Sequence, residues 1–146
     1  MNHVSNEFHF GVFEKELLIV LREFRVDVVL LAGFMRIFSP LFVHAFVGRI
    51  LNIHPAKTSL YQGANGYGWA FATGQQETFI TVHLVDEGVD TGKVLSCSPV
   101  DLQGATTLAQ VIERGLKVEH VVYASTVRKY LLEEFSHVWN SRHSGN

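Results

Sequence analysis

The chain has 146 residues, 47% hydrophobic and 18% charged, with a formal net charge of −2. That length fits one domain, and that balance supports a real core and excludes a disordered chain. No Lys/Arg cluster is present to hold nucleic-acid phosphates, and the longest apolar run, 28–34, is far short of the ~20 residues a membrane span needs.

Leu17, Leu18, Val20, Leu21 and Phe24 recur at helical spacing and predict a helix over 13–24, with Glu14, Glu16, Arg22 and Glu23 facing water. The β-branched and leucine run over 26–32 predicts a strand covered on both faces, as in a parallel sheet. Ser39 then caps a helix with Pro40 at its first position, running to 47 and ended by Gly48. A strand over 49–54 stops at Pro55. The Gly-, Asn-, Ser- and Tyr-rich stretch 56–68 reads as a loop, followed by a helical turn or two over 69–73. Strands are expected over 78–85 and 93–102, then a short helix over 107–114 ended by Gly115, then a long amphipathic helix over 117–137.

This order predicts an α/β fold, a three-layer sandwich. Its sheet is mainly parallel, and a hairpin across the Gly-rich segment 86–92 makes it mixed. A single domain is expected over 1–146, with 138–146 disordered. The lone Cys97 cannot form an internal disulfide, and the start of the chain carries no signal-peptide pattern, so a cytoplasmic setting is expected.

The chemistry gathers around Asn52-Ile53-His54. Residues two apart on a strand share a face, so Asn52 and His54 project together at the carboxyl end of their strand. Open α/β sheets take ligands at that edge, and an amide beside an imidazole makes an oxyanion site with a proton-transfer group. The segment 83–92 adds His83, Asp86 and Asp90 in a Gly-rich loop. A carboxylate from it reaching His54 would orient the ring and raise its pKa; ordinary turn chemistry explains the same residues equally well.

Leu31-Ala-Gly-Phe-Met-Arg-Ile37, Leu51-Asn-Ile-His-Pro55 and Val89-Asp-Thr-Gly92 together resemble the folate-dependent formyltransferase family, most closely its phosphoribosylglycinamide branch. Arg36, Asn52, His54, Pro55, Gly63, Ala70, His83 and Asp90 follow the family's order and approximate spacing, and Glu119-His120 with Tyr123 matches a later helix pattern. The resemblance covers roughly residues 10–135.

The resemblance implies formyl transfer from 10-formyltetrahydrofolate, as co-substrate and without a metal, to the amine of glycinamide ribonucleotide in purine synthesis. It implies catalytic roles for Asn52, His54 and Asp90: His54, kept cationic by Asp90, and the Asn52 amide stabilise the developing oxyanion. Asp90 aids water-mediated proton transfer toward the leaving nitrogen. Met35, Arg36, Ile37, Phe38, Ile50, Asp86 and Asp90 would hold the folate, with Met35 and Ile50 as apolar walls; Pro55, Gly63 and Glu119 would face the acceptor.

The chain departs from the family in three ways. Residue 1 corresponds to a point well inside the family fold, so the N-terminal strands and the phosphate-binding Gly-Ser-Asn loop have no counterpart. The resulting sheet edge predicts a homo-oligomer or a partner chain covering it. The family's Ser-Leu-Leu-Pro is replaced by Ala56-Lys-Thr-Ser-Leu60, and Asn65 stands at a family histidine position, which leaves the acceptor open.

Several other residues are weighed as structural. His44 reads as structural and His83 as support for the site. His120 and Tyr123 would pack the last helix, Trp69 and Phe71 would pack rather than stack on bases, and His137 and His143 look inert. Two rivals stand beside this reading. One is a formyltetrahydrofolate hydrolase or a formyltransferase with another acceptor; Pro55, where the hydrolases carry a second histidine, disfavours the hydrolase. The other is a folate- or partner-binding remnant without turnover. Small-molecule substrates, no nucleic acid and no membrane are expected throughout.

Overall fold

A computed structural model describes residues 3–34 and 36–143, with side chains over 11–34 and 36–136. The chain runs α1 (His3–Glu23), β1 (Val29–Leu31), α2 (Pro40–Ala45), β2 (Ile50–His54), α3 (Gly66–Ala72), β3 (Glu77–Leu84), β4 (Val94–Asp101) and α4 (Leu108–His143). The four strands form one sheet in the order β1-β2-β3-β4. β1 pairs parallel with β2, while β2–β3 and β3–β4 are antiparallel, so the sheet is mixed as expected, but it is mainly antiparallel rather than mainly parallel because β3 already runs back along β2.

Strand alternation sorts the core into two layers. Ile50 on β2 packs with Leu18 of α1 and with Phe38, Phe42, Val43 and Phe46 around α2. Ile53 on the same strand turns to the other face, with Ile80, Val82, Val100, Ala70 of α3 and Val111 of α4. The Tyr123 hydroxyl of α4 shares its one proton between the carbonyls of Leu31 (2.7 Å) and Leu51 (3.0 Å), tying α4 to β1 and β2 at once. Burial pushes its phenol up to about 12.

The structure corrects several sequence expectations. α1 begins at His3, well before residue 13, and Glu14, expected in water, is only 1% exposed. Its carboxylate accepts from the backbone N–H (2.8 Å) and hydroxyl of Ser39, the α2 cap, so the acid docks α1 onto α2. Conversely Val20 and Phe24, expected on the buried stripe, are exposed. β1 is shorter than the apolar run because Val26 N–H donates to Leu21 O and Arg25 turns left-handed at φ 53°, closing the helix end. α2 stops at Ala45, two residues before the expected end, and α3 starts at Gly66 within the expected loop.

The two expected C-terminal helices are one, and it continues through residues 138–143, which were expected to be disordered; 144–146 lie outside the described residues. Gly115 does not end that helix. A Cβ there would stand 2.1 Å from the Tyr67 ring, so the glycine makes room for an aromatic side chain. His120 is exposed rather than packed, as is Phe71. The side chains of His137 and His143 lie outside the described ones.

Candidate active site

The site is built at the carboxyl end of β2. Asn52 and His54 share a face with Ile50, and the antiparallel register sets Asn52 directly opposite His83. β3 then leads into the 86–92 turn. Asp86 shapes that turn by accepting from Gly88 N–H (2.9 Å) and the Thr91 hydroxyl (2.6 Å); the Thr91 bond above all holds its carboxyl below the usual range. At Gly92 a Cβ would stand 1.7 Å from Leu84 O, so only glycine lets the chain return this closely into β4. The turn delivers Asp90, itself left-handed at φ 51°.

Asp90 is the hub of the site. One carboxylate oxygen accepts from His83 Nε2 at 3.2 Å; the other lies 3.4 Å from His54 Nδ1 and accepts from Gly63 N–H at 2.8 Å. Burial pushes the Asp90 carboxyl up, but these hydrogen bonds and the two imidazoles hold it below its ordinary value. His83 is 2% exposed, and its Nδ1 donates to Leu84 O at 2.8 Å. Burial opposes its charge, yet acceptors at both ring nitrogens raise its pKa on balance. His83, expected as support, therefore makes the shorter contact to Asp90.

His54 is 4% exposed, and its Nε2 donates to Tyr61 O at 2.9 Å, which fixes the proton on that nitrogen. Its ring continues into a stack with Tyr61 (6.4 Å) and Trp69 (5.0 Å farther on), so Trp69 does pack, and on the site itself. Asn52 is half-buried, and its amide makes no hydrogen bond to the described residues.

These groups open on a cavity of about 350 Å³, within the range of small-molecule sites. Asn52, His54, Pro55, Gly63, Asp86, Asp90 and Glu119 line it, as do Arg36, Ile37 and Phe38. Ile50 does not: it lies on the same face but two residues earlier along β2, where α1 and α2 cover it, and it is 0% exposed in their core. Met35 lies outside the described residues. Sequence reasoning missed Tyr67, Leu116 and the apolar wall of Leu31, Phe34, Val85 and Val89. Tyr67 reaches Glu119 across 52 residues, a separation no local spacing reveals. His44 pairs with Glu87 at 2.8 Å on the surface, and neither side chain lines the cavity. Among the described residues no three His, Cys, Asp or Glu side chains converge on a metal position.

Residues 6–127 match the family model described as formyl transferase. The chain belongs to the formyl transferase family. It is 35% identical over 121 residues to phosphoribosylglycinamide formyltransferase of Bacillus subtilis (strain 168), covering 83% of this chain and 62% of that protein. It is 38% identical over 116 residues to the Homo sapiens trifunctional purine biosynthetic protein adenosine-3, covering 80% of this chain and 12% of that one. The crystal structure of phosphoribosylglycinamide formyltransferase from Bacillus halodurans superposes with a TM-score of 0.79 at 35% identity, over 82% of this chain and 61% of that one. The chain thus spans about three fifths of the length of these Bacillus relatives.

Proposed function

We propose that the chain transfers a formyl group from 10-formyltetrahydrofolate to the amine of glycinamide ribonucleotide, a step of purine synthesis. The observation that carries this is the convergence of Asn52, His54 and Asp90 on one cavity at the rim of the sheet. The co-substrate supplies an electrophilic formyl carbon; the chain supplies the electrostatics. The Asn52 amide, which makes no hydrogen bond to the described residues, donates to the formyl oxygen as the amine adds and charge develops there. His54, its ring held by Asp90 and by Tyr61 O, acts beside it, and Asp90 guides the proton by way of water toward the departing nitrogen. The wall of Arg36, Ile37 and Phe38, with Asp86 opposite, suits a flat ring with polar edges, and Pro55, Gly63 and Glu119 face the acceptor. Pro55 directly after His54 separates this site from the hydrolase pattern.

The free thiol of Cys97 fits a reducing, cytoplasmic setting. No described helix is long and apolar enough to cross a membrane. β1 has three residues and stands at the edge of the sheet, and Leu30, Ile19 and Phe24 are 51%, 63% and 75% exposed. A second copy or a partner chain covers that edge in this reading.

The test is a transfer assay with calorimetry of reduced-folate binding alongside. Asn52→Ala should lower kcat by about 10²–10³, as removal of an oxyanion donor does elsewhere, and His54→Ala should abolish measurable turnover. Folate binding should persist in both variants. Turnover unchanged in His54→Ala would overturn the assignment, and wild-type folate binding without turnover would favour a binding protein instead.

A further inference from the structure

On the acceptor side of the cavity, Glu119 and Tyr67 form a unit that neither residue's position in the chain discloses. The Tyr67 hydroxyl donates to Glu119 Oε1. Both side chains are half-buried and line the cavity with Leu116. Burial, reinforced by the adjacent carboxylate, pushes the Tyr67 phenol well above its ordinary value, so it remains a neutral donor across the working pH range. Gly115, one helical turn before Glu119 on α4, leaves the notch in which the Tyr67 ring lies: a Cβ there would meet the ring edge at 2.1 Å and its hydroxyl at 2.3 Å. Asn65 caps α3 with Oδ1 accepting from Gly68 N–H at 3.2 Å, which fixes the turn that presents Tyr67. The phenol is held from the loop side, the glycine notch from the helix side, and the carboxylate between them.

The remaining oxygen of Glu119 makes no hydrogen bond to the described residues. The bond from the Tyr67 hydroxyl orients the carboxylate and leaves its other oxygen available to accept. We infer that Tyr67 is a positioning residue that holds Glu119 as a directed acceptor for a hydroxyl of the acceptor substrate, and so sets preference for a sugar-bearing amine over an amine without hydroxyls. This rests on the transfer reaction proposed above and adds to it the residue that selects the acceptor.

The experiment is steady-state transfer with the ribonucleotide and the folate donor varied separately. Tyr67→Phe keeps the ring over Gly115 and removes only the hydroxyl. It should raise KM for glycinamide ribonucleotide about tenfold, the scale of one hydrogen bond to a charged group, while kcat and the donor KM stay within about twofold. Glu119→Gln should raise the same KM, and adding Tyr67→Phe to it should cost little more, because the phenol acts through the carboxylate. An unchanged ribonucleotide KM in Tyr67→Phe, or a fall in kcat with both KM values rising together, would overturn the inference while leaving the transfer reaction standing. Wild-type protein that binds reduced folate yet shows neither turnover nor binding of the ribonucleotide would overturn the reaction and this inference with it.

Discussion

Two imidazoles share one carboxylate here, and they are not equivalent. His83 is enclosed, with Leu84 O and Asp90 at its two nitrogens, so its charged form is favoured in the folded protein. Its raised pKa contributes stability that is fully present below the ordinary value of 6.5 and fades as pH rises through the folded value. Asp90 works the other way: its lowered pKa contributes stability above 3.8 that is lost as pH falls through the folded value. The urea midpoint of the wild type minus that of His83→Gln should therefore be largest near about pH 5 and shrink toward alkaline pH. A difference that stays flat from acid to alkali would show that the pair is not charged as described. His54 makes the longer contact to Asp90 and opens on the cavity, so His83 is read as the residue that holds the carboxylate and His54 as the one that uses it.

At the scale of elements, single side chains do the joining. Glu14 satisfies the Ser39 N–H and hydroxyl at the start of α2, where the six-residue helix has little else to anchor its first turn. Glu14→Ala leaves both groups without their acceptor in a part-buried junction and should cost about 1–3 kcal/mol in denaturant unfolding. A loss below about 0.5 kcal/mol, the level of an ordinary surface change, would show that the contact does not hold the junction. Tyr123 links α4 to two neighbouring strands, so Tyr123→Phe should cost about 1–2 kcal/mol, leaving two carbonyls short of one donor. Hydrogen exchange should show that loss first at β1, which among the described residues pairs with β2 alone; a uniform change across the sheet would contradict this.

At the scale of the molecule, one edge of the sheet ends at a three-residue strand flanked by the exposed apolar residues of α1. Sedimentation over a concentration series should show association, and Phe24→Glu should weaken it, because a charge on the covered face must be desolvated. A monomer at every concentration, with no dye-binding hydrophobic surface, would rule out a covered edge. A homo-oligomer and a partner chain are separated by whether the purified chain alone associates.

Much of this was legible in the amino-acid order. Alternation along β2 and the stop at Pro55 placed Asn52 and His54 together at a strand end, and the Gly-rich segment 86–92 foretold the β3–β4 hairpin, but not the antiparallel β2–β3 pairing that makes the sheet mainly antiparallel. These are local rules, set by backbone geometry within a few residues. The sequence could not say that Glu14 turns inward, that Gly115 serves Tyr67 rather than a helix end, that Ile50 belongs to the core, or that Asp90 lies closer to His83 than to His54. Those outcomes depend on which side chains meet across 25, 52 or 27 positions of chain, as with Glu14–Ser39, Tyr67–Glu119 and Gly63–Asp90. A glycine or an acid has the same local preference whether its partner is water or a distant ring. Only packing at close range, where a Cβ or an unpaired carboxylate becomes costly, selects between them.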